Sequence, residues 1–182
     1  MSKPSQFIVL AEDELHQRFV RKFLQRLYTS PQIRNMPLPN SRGCGEQWVR
    51  ERYATEVRAF RTRAARAASV LVVVIDADTE EVDRRHRQLL EALENDDLQE
   101  RRVDEAIVHF VPKRNIETWI FCLNGQPVDE LMDYSERRVI SDQVSTAGIT
   151  FFDWSRPGAT IPADCVPSLL TAIPEVRRLP PE

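Results

Sequence analysis

Cysteine and long apolar runs are both scarce in this chain of 182 residues. Its three cysteines, Cys44, Cys122 and Cys165, are widely spaced and form no CxxC pair, which argues against a disulfide framework and against a structural zinc site. No uninterrupted apolar segment approaches the ~20 residues that a membrane-spanning helix needs. The first residues are polar. We therefore expect a soluble cytoplasmic protein with reduced thiols and no membrane partner.

The chain also contains no Walker-type Gly-x-x-x-x-Gly-Lys-Ser/Thr sequence, so it cannot itself supply an ATPase of that class. Hydrophobic residues make up 42% of the chain and charged residues 29%, a balance that fits one globular domain with a full core. We expect an α/β domain over residues 1–123. Residues 124–182 are expected to form a short C-terminal extension packed on that same domain.

Two apolar runs predict the central strands of this domain. They cover residues 7–11 and 70–75, and neither shows the polar alternation of a half-exposed strand. Such runs are typical of strands buried on both faces, as in a parallel sheet covered by helices. A third run at 106–111 predicts another strand, and 33–38 offers at most a short one. Helical spacing predicts helices over the following ranges: 14–28, 46–68, 80–94 and 116–123. The fold class is therefore α/β, a Rossmann-like and mainly parallel sheet flanked by helices.

The remainder of the chain alternates short helical pieces with prolines. Within it, residues 148–154 are rich in aromatic and β-branched side chains, which favours an edge strand. We expect the whole tail from Asn124 onward to form a lid or edge layer.

Acidic residues close both central apolar runs. Glu12 follows the first run, and Asp76 and Asp78 follow the second. Ligands of parallel α/β sheets bind beyond the carboxyl ends of the strands, so these carboxylates should converge there. They would repel one another unless a cation lay between them, and oxygen ligands suit Mg²⁺ or Mn²⁺. Helix capping by Asp78 would explain one of these acids but not all three.

Other residues are candidates for the same site. Asp13 is a fourth candidate metal ligand, and Glu117 begins the helix that follows the third long strand. Lys113 lies just beyond that strand in a chain with few lysines, where it could stabilise charge that develops on a phosphate; a solvated loop charge is the alternative. The histidines need no such role: His16 is expected on a helix among charged residues, and His109 in the core.

The formal net charge of −3 hides a locally basic stretch between Arg42 and Arg66. Such a stretch could bind a polyanion, and the candidate phosphate contacts are Arg42, Arg50, Arg58 and Arg61. The alternative is that these arginines only solvate a helix face.

An acid after the first strand, a helix, and Asp-x-Asp after a later strand resemble the Toprim domain of topoisomerases, bacterial primases and OLD-type nucleases. Glu12 takes the place of the Toprim glutamate, and Asp76 and Asp78 that of its Asp-x-Asp. Residues 112–119 also resemble a basic stretch with Glu-x-Trp in small bacterial Toprim-like proteins. The resemblance covers residues 7–123. It departs at Asp13, where many Toprim proteins have glycine, so this acid either widens the metal site or changes the turn.

The resemblance implies a Mg²⁺- or Mn²⁺-dependent nuclease in which Glu12, Asp76, Asp78, Lys113 and Glu117 carry the reaction. It also implies nucleic acid as substrate, with DNA expected before RNA, and a role in phage defence or DNA repair beside a partner ATPase. The resemblance is also compatible with a homo-oligomer. Two alternatives remain: a non-catalytic Toprim-like partner subunit that binds an ATPase or nucleic acid, and a receiver-like signalling domain with Asp76 as phosphoacceptor. The long segment between Glu12 and Asp76 argues against a receiver.

Overall fold

The computed structural model describes residues 4–40, 43–64 and 67–181, and its centre is a parallel β-sheet. The strands of these described residues are β1 (Gln6–Ala11), β2 (Ile33–Asn35), β3 (Ser69–Val74) and β4 (Ile107–Phe110). They lie side by side in the order β2-β1-β3-β4, and every neighbouring pair is parallel. The prediction of a parallel α/β sheet is therefore confirmed.

Helices flank this sheet on both faces. They are α1 (Glu14–Leu27), α2 (Gly45–Ala64), α3 (Val82–Glu94), α4 (Ile116–Leu123), α5 (Ser141–Ser155) and α6 (Pro167–Ala172), followed by a 3₁₀ helix (Ile173–Arg178). The first four agree with the helices predicted from hydrophobic spacing, apart from shifts at their ends. In the described part of the chain, no helix combines the length and the apolar character needed to cross a membrane.

Both faces of the central strands are buried, which explains why their sequences lack polar alternation. Successive side chains of a strand point to opposite faces. In β1, Phe7 and Val9 face the core formed with α1, α4 and α5, whereas Ile8 and Leu10 face the core formed with α2 and α3. β3 is divided between the two cores in the same way. A polar residue on either face would lose its hydration.

The order of the strands creates a switch point between β1 and β3. From β1 the chain runs first to β2 on one side and then returns to β3 on the other side. The two strands end in register, with Ala11 opposite Val74. A crevice opens outside the carboxyl ends of strands at such a point, and ligands of open α/β sheets bind there.

The expected edge strand at residues 148–154 is wrong, because this segment belongs to helix α5. Phe151 is fully buried, and its ring centroid lies 5.0 Å from that of Phe23 and 5.7 Å from that of Phe19 on α1. Aromatic and β-branched residues favour a strand only weakly, and packing against a neighbouring helix overrides that preference. The segment is thus part of a core rather than an edge layer.

Gly148 allows α5 to approach α1 closely. A Cβ atom at this position would lie 2.6 Å from the Cβ of Lys22 and 2.8 Å from the backbone nitrogen of Phe23. We expect Gly148→Ala to reduce the free energy of unfolding by about 1–3 kcal/mol, because overpacking against backbone outweighs the ~1 kcal/mol that alanine gains in a helix. Chemical denaturation would measure the change. Thr146→Ala, at an exposed position of α5, is the control; a Gly148 variant as stable as this control would contradict the close packing.

Candidate metal centre

Two carboxylates meet at the switch point. Glu12 follows β1 directly and Asp76 lies two residues beyond β3. The backbone N–H of Asp76 donates a hydrogen bond to Oε1 of Glu12 over 2.6 Å. Asp76 is buried and Glu12 is partly buried. The structure thus brings together the acids that end the two central strands, although they are 64 residues apart.

Neither carboxyl group is in an environment that favours its charge. Burial, and then the charge of Asp76, raises the pKa of Glu12 to about 8. Burial also raises the pKa of Asp76 above its usual range. Two neighbouring acids that are shielded from water disfavour the doubly ionised state unless a positive charge compensates them.

His16 supplies such a charge. Its Nδ1 lies 2.8 Å from Oδ1 of Asp13, and its Nε2 lies 3.0 Å from Oδ1 of Asp76. When Asp13 and Asp76 are both ionised, both ring nitrogens donate and the side chain is an imidazolium. Burial alone would lower the pKa of His16, but the charges and hydrogen bonds of Asp76 and Asp13 raise it well above the usual value.

His16 lies on a helix beside charged residues, as expected, but only 2% of the residue is exposed, and the sequence analysis gave it no role at the site. The sequence did contain a signal. His16 falls three residues before Phe19, four before Val20 and seven before Phe23, which places it on the buried face of α1.

Asp13 begins helix α1 rather than joining the two acids. Its side chain accepts from the backbone N–H of His16 over 3.1 Å, as an N-cap residue does, and it remains 58% exposed. Burial would raise the pKa of Asp13, but the hydrogen bond and charge of His16 lower it to about 2. Among the described residues, the group with ligand atoms spaced for a metal consists of Glu12, His16 and Asp76, within 4.8 Å of one another.

Asp78 lies at the rim of this cluster. Its side chain is 61% exposed, and Oδ1 is 3.6 Å from Nη1 of Arg114. Its backbone φ is +60°, which turns the chain sharply between β3 and α3. Asp78, Glu12 and Asp13 border a depression of about 420 Å³ that also includes residues 38–40 and the start of α2. Of the three clustered residues, Glu12 borders this depression.

Glu117 and Lys113 differ in their relation to the cluster. Glu117 is partly buried, and burial, together with the charges of Asp76 and Asp13, raises its pKa. The ammonium group of Lys113 instead donates to the backbone carbonyl of Glu80 over 2.8 Å and to Oε1 of Glu81 over 2.9 Å. Lys113 is therefore hydrogen-bonded to the segment before α3, whereas the pKa of Glu117 is raised in part by the charges of the neighbouring carboxylates.

The N-terminus of α2 abuts Glu12. A Cβ atom at Gly45 would lie 2.8 Å from the Cβ of Glu12 and 3.0 Å from its carbonyl oxygen, so only glycine fits this approach without a shift. The first N–H groups of a helix have no partner within the helix and carry partial positive charge. They border the depression beside the carboxylates.

Arg85 is a second residue that the sequence interpretation missed. The residue is only 2% exposed, and its guanidinium pairs with Glu46 and donates to the carbonyl of Ala77 over 3.3 Å. It thereby ties α3 to the first turn of α2 and to the loop between Asp76 and Asp78. Arg85 precedes Leu89 and Leu93 by one and two turns, which marks the inner face of α3.

The predicted nucleic-acid arginines are engaged within the protein. Arg50 pairs with Glu46 at 2.7 Å, Arg58 with Asp96 at 3.1 Å, and Arg61 with the buried Glu105 at 2.7 Å. Arg61 also donates to two backbone carbonyls. Arg42 lies outside the described residues. Much of the positive charge of α2 is thus compensated by neighbouring acids.

Comparisons with known proteins give no match: no family model fits the chain, and no curated protein or solved structure is significantly similar to it.

Proposed function

We propose that the protein is a metal-dependent nucleic-acid phosphodiesterase with a Toprim-like centre. The observation that carries this proposal is the pairing of Glu12 with Asp76 in the crevice at the switch point of the sheet. Asp76 is buried and Glu12 partly buried, both have raised pKa values, and perturbed carboxyl groups in a cleft are typical of functional sites. We place this activity in the cytoplasm and expect DNA as the substrate.

The residues fit a hard divalent cation. Glu12 and Asp76 would hold Mg²⁺ or Mn²⁺, with Asp78 reaching in from the rim, since carboxylate oxygens are the preferred protein ligands of both ions. The ligand atoms of Glu12 and Asp76 lie within 4.8 Å of each other, a spacing that suits two ligands that share one ion. When bound, such an ion polarises a phosphodiester and lowers the pKa of an attacking water.

The surrounding residues would position the carboxylates and the substrate. Asp13 holds His16, and His16 in turn holds Asp76. Arg85 fixes the loop that carries Asp76 and Asp78. The start of α2 borders the depression, where the first N–H groups of this helix would bind a substrate phosphate.

Lys113 keeps its proposed role as a stabiliser of developing charge. Glu81, its ion-pair partner, is 79% exposed, and an ion pair with so exposed a partner contributes little free energy. Exchanging Glu81 for a substrate phosphate would therefore cost little. Glu117 is a candidate proton carrier because its pKa is raised beside the cluster.

The test is cleavage of plasmid, linear and single-stranded DNA and of RNA, each with Mg²⁺, Mn²⁺ or EDTA. We expect metal-dependent loss of at least one DNA substrate with the wild-type protein and none in EDTA. Activity that persists unchanged in EDTA would overturn the proposal, because it would separate cleavage from a metal.

A second candidate function is that of a non-catalytic subunit that works beside a separate ATPase or another copy of this chain in phage defence or DNA repair. The observation that favours it is the internal cation: His16 already compensates Asp76 without a metal. No cleavage of any substrate, together with capture of a defined ATPase by both wild-type and Asp76→Asn protein, would support this function instead.

A further inference from the structure

A cavity of about 320 Å³ lies beside strand β4, away from the carboxylate cluster. It is on the face of the sheet covered by α2 and α3, at the open edge of β4. None of its lining residues belongs to the proposed metal centre; they are Tyr53, His86, Arg87, Leu90, Leu93, Glu100, Arg101, His109, Thr171 and Glu175. Cavities for small molecules have volumes of about 300–1,000 Å³, so this one is large enough for a ligand.

His109 leaves a polar atom unused in the wall of this cavity. Its Nε2 lies 2.8 Å from the hydroxyl of Tyr53, but its Nδ1 has no hydrogen-bond partner among the described residues. The residue is 4% exposed. A buried polar atom without a partner costs free energy, which a ligand that offers the complementary group would recover.

The ring of His86 lies nearly parallel to that of His109, with 5.7 Å between the centroids and 24° between the planes. Burial lowers the pKa of both imidazoles, and the positive charge of Arg101 lowers them further, so both rings are neutral at neutral pH. Leu90 and Leu93 add an apolar wall. Neutral rings, leucine side chains and one unsatisfied polar atom suit a planar heteroaromatic ring.

The rim carries two charges that are not compensated within the described residues. Arg87 and Glu100 are both exposed, and the side chain of neither forms a hydrogen bond or ion pair there. Two further charged residues of the lining, Arg101 and Glu175, pair with each other through two hydrogen bonds. A guanidinium is a strong phosphate ligand, and a carboxylate accepts hydrogen bonds from ribose hydroxyls.

From this arrangement we propose that the cavity binds a mononucleotide. The base enters between the leucine wall and His86 and gives His109 Nδ1 its missing partner. Glu100 binds the ribose, and Arg87 binds the phosphate. The site is separate from the proposed metal centre and does not depend on the proposed nuclease activity.

The test uses AMP as the probe, with the full chain in EDTA. The chain has only three histidines, so their imidazole C–H signals are easily followed by NMR. AMP is expected to shift the His86 and His109 signals and to leave His16 unchanged. Adenosine, which lacks the phosphate, should bind about tenfold more weakly, because one charge-assisted contact is missing. Ribose 5-phosphate, which lacks the base, should not shift the histidine signals.

Arg87→Gln is expected to weaken AMP binding about tenfold. Arg84→Gln is the matched control: it removes the same charge from the same helix, but Arg84 pairs with Glu91 and does not line the cavity. Thr171→Trp should block the cavity, and Asp76→Asn should leave binding unchanged. The proposal is overturned if millimolar AMP shifts neither His86 nor His109, or if Arg87→Gln binds AMP as tightly as Arg84→Gln. None of these outcomes depends on cleavage activity.

Discussion

Asp76→Asn is expected to abolish metal-dependent cleavage while preserving the fold. Asparagine has the same shape, and its Oδ1 can still accept the hydrogen bond that His16 Nε2 now donates over 3.0 Å. What it loses is the negative charge that binds a cation. Removing a residue that only supports a metal ligand lowers metal affinity or activity about 10–100-fold. Removing a ligand itself should therefore lower activity by more than about 100-fold. Initial cleavage rates at several Mn²⁺ concentrations measure the effect.

The matched control is Asp78→Asn, which removes the same charge from an exposed rim position. Its activity should fall less and should recover at higher metal concentration. Glu12→Gln should be as inactive as Asp76→Asn, and no less stable than wild type, because burial and the charge of Asp76 oppose ionisation of Glu12. Wild-type rates in the Asp76 variant would refute the assignment of the centre.

His16→Leu is expected to reduce the free energy of unfolding by about 3–5 kcal/mol, because it removes one partner of a buried ion pair. Asp76 would keep its buried position but lose the imidazolium that compensates it, and Asp13 would lose its side-chain partner. Leucine preserves the apolar contacts of this face of α1, so the change reports mainly on charge. Denaturant unfolding in EDTA measures it.

Adding Mn²⁺ should then stabilise the His16→Leu protein more than it stabilises the wild type. A cation bound to Glu12 and Asp76 replaces the missing positive charge, and a ligand that binds only the folded state raises stability by an amount that grows with its concentration relative to its Kd. His86→Leu is the control, since His86 is partly buried and makes no ion pair with a described residue. An unchanged unfolding midpoint for His16→Leu in EDTA would show that the bridge contributes nothing to stability.

Much of the fold was predictable because its signals are local. Uninterrupted apolar runs predict doubly buried strands, and the sheet buries both faces of β1 and β3 as expected. Helix α4 occupies the predicted residues, and its N-cap, Asn115, accepts a hydrogen bond from the backbone of Thr118. The proximity of Glu12 and Asp76 also followed from sequence, since parallel strands end at the same edge of a sheet.

Residues 148–154 show where local signals fail. Their composition favours a strand. The segment is nevertheless helical, because Gly148 allows close packing against α1 and Phe151 is buried against the rings of Phe19 and Phe23. That partner surface is formed by residues more than a hundred positions earlier in the chain. No window of sequence around Gly148 contains it.

By itself, the sequence determined the strands, most of the helices and the edge of the sheet at which the acids meet. The spacing of apolar residues and the direction of a strand are properties of short segments, so they can be read without the tertiary structure. Only the tertiary structure decided the charge partners. It placed His16 against Asp76, tied Lys113 to Glu81, and paired Arg58 and Arg61 with acids of a distant loop. An ion pair depends on which side chains are buried together, and burial is fixed only when segments distant in the chain pack against one another.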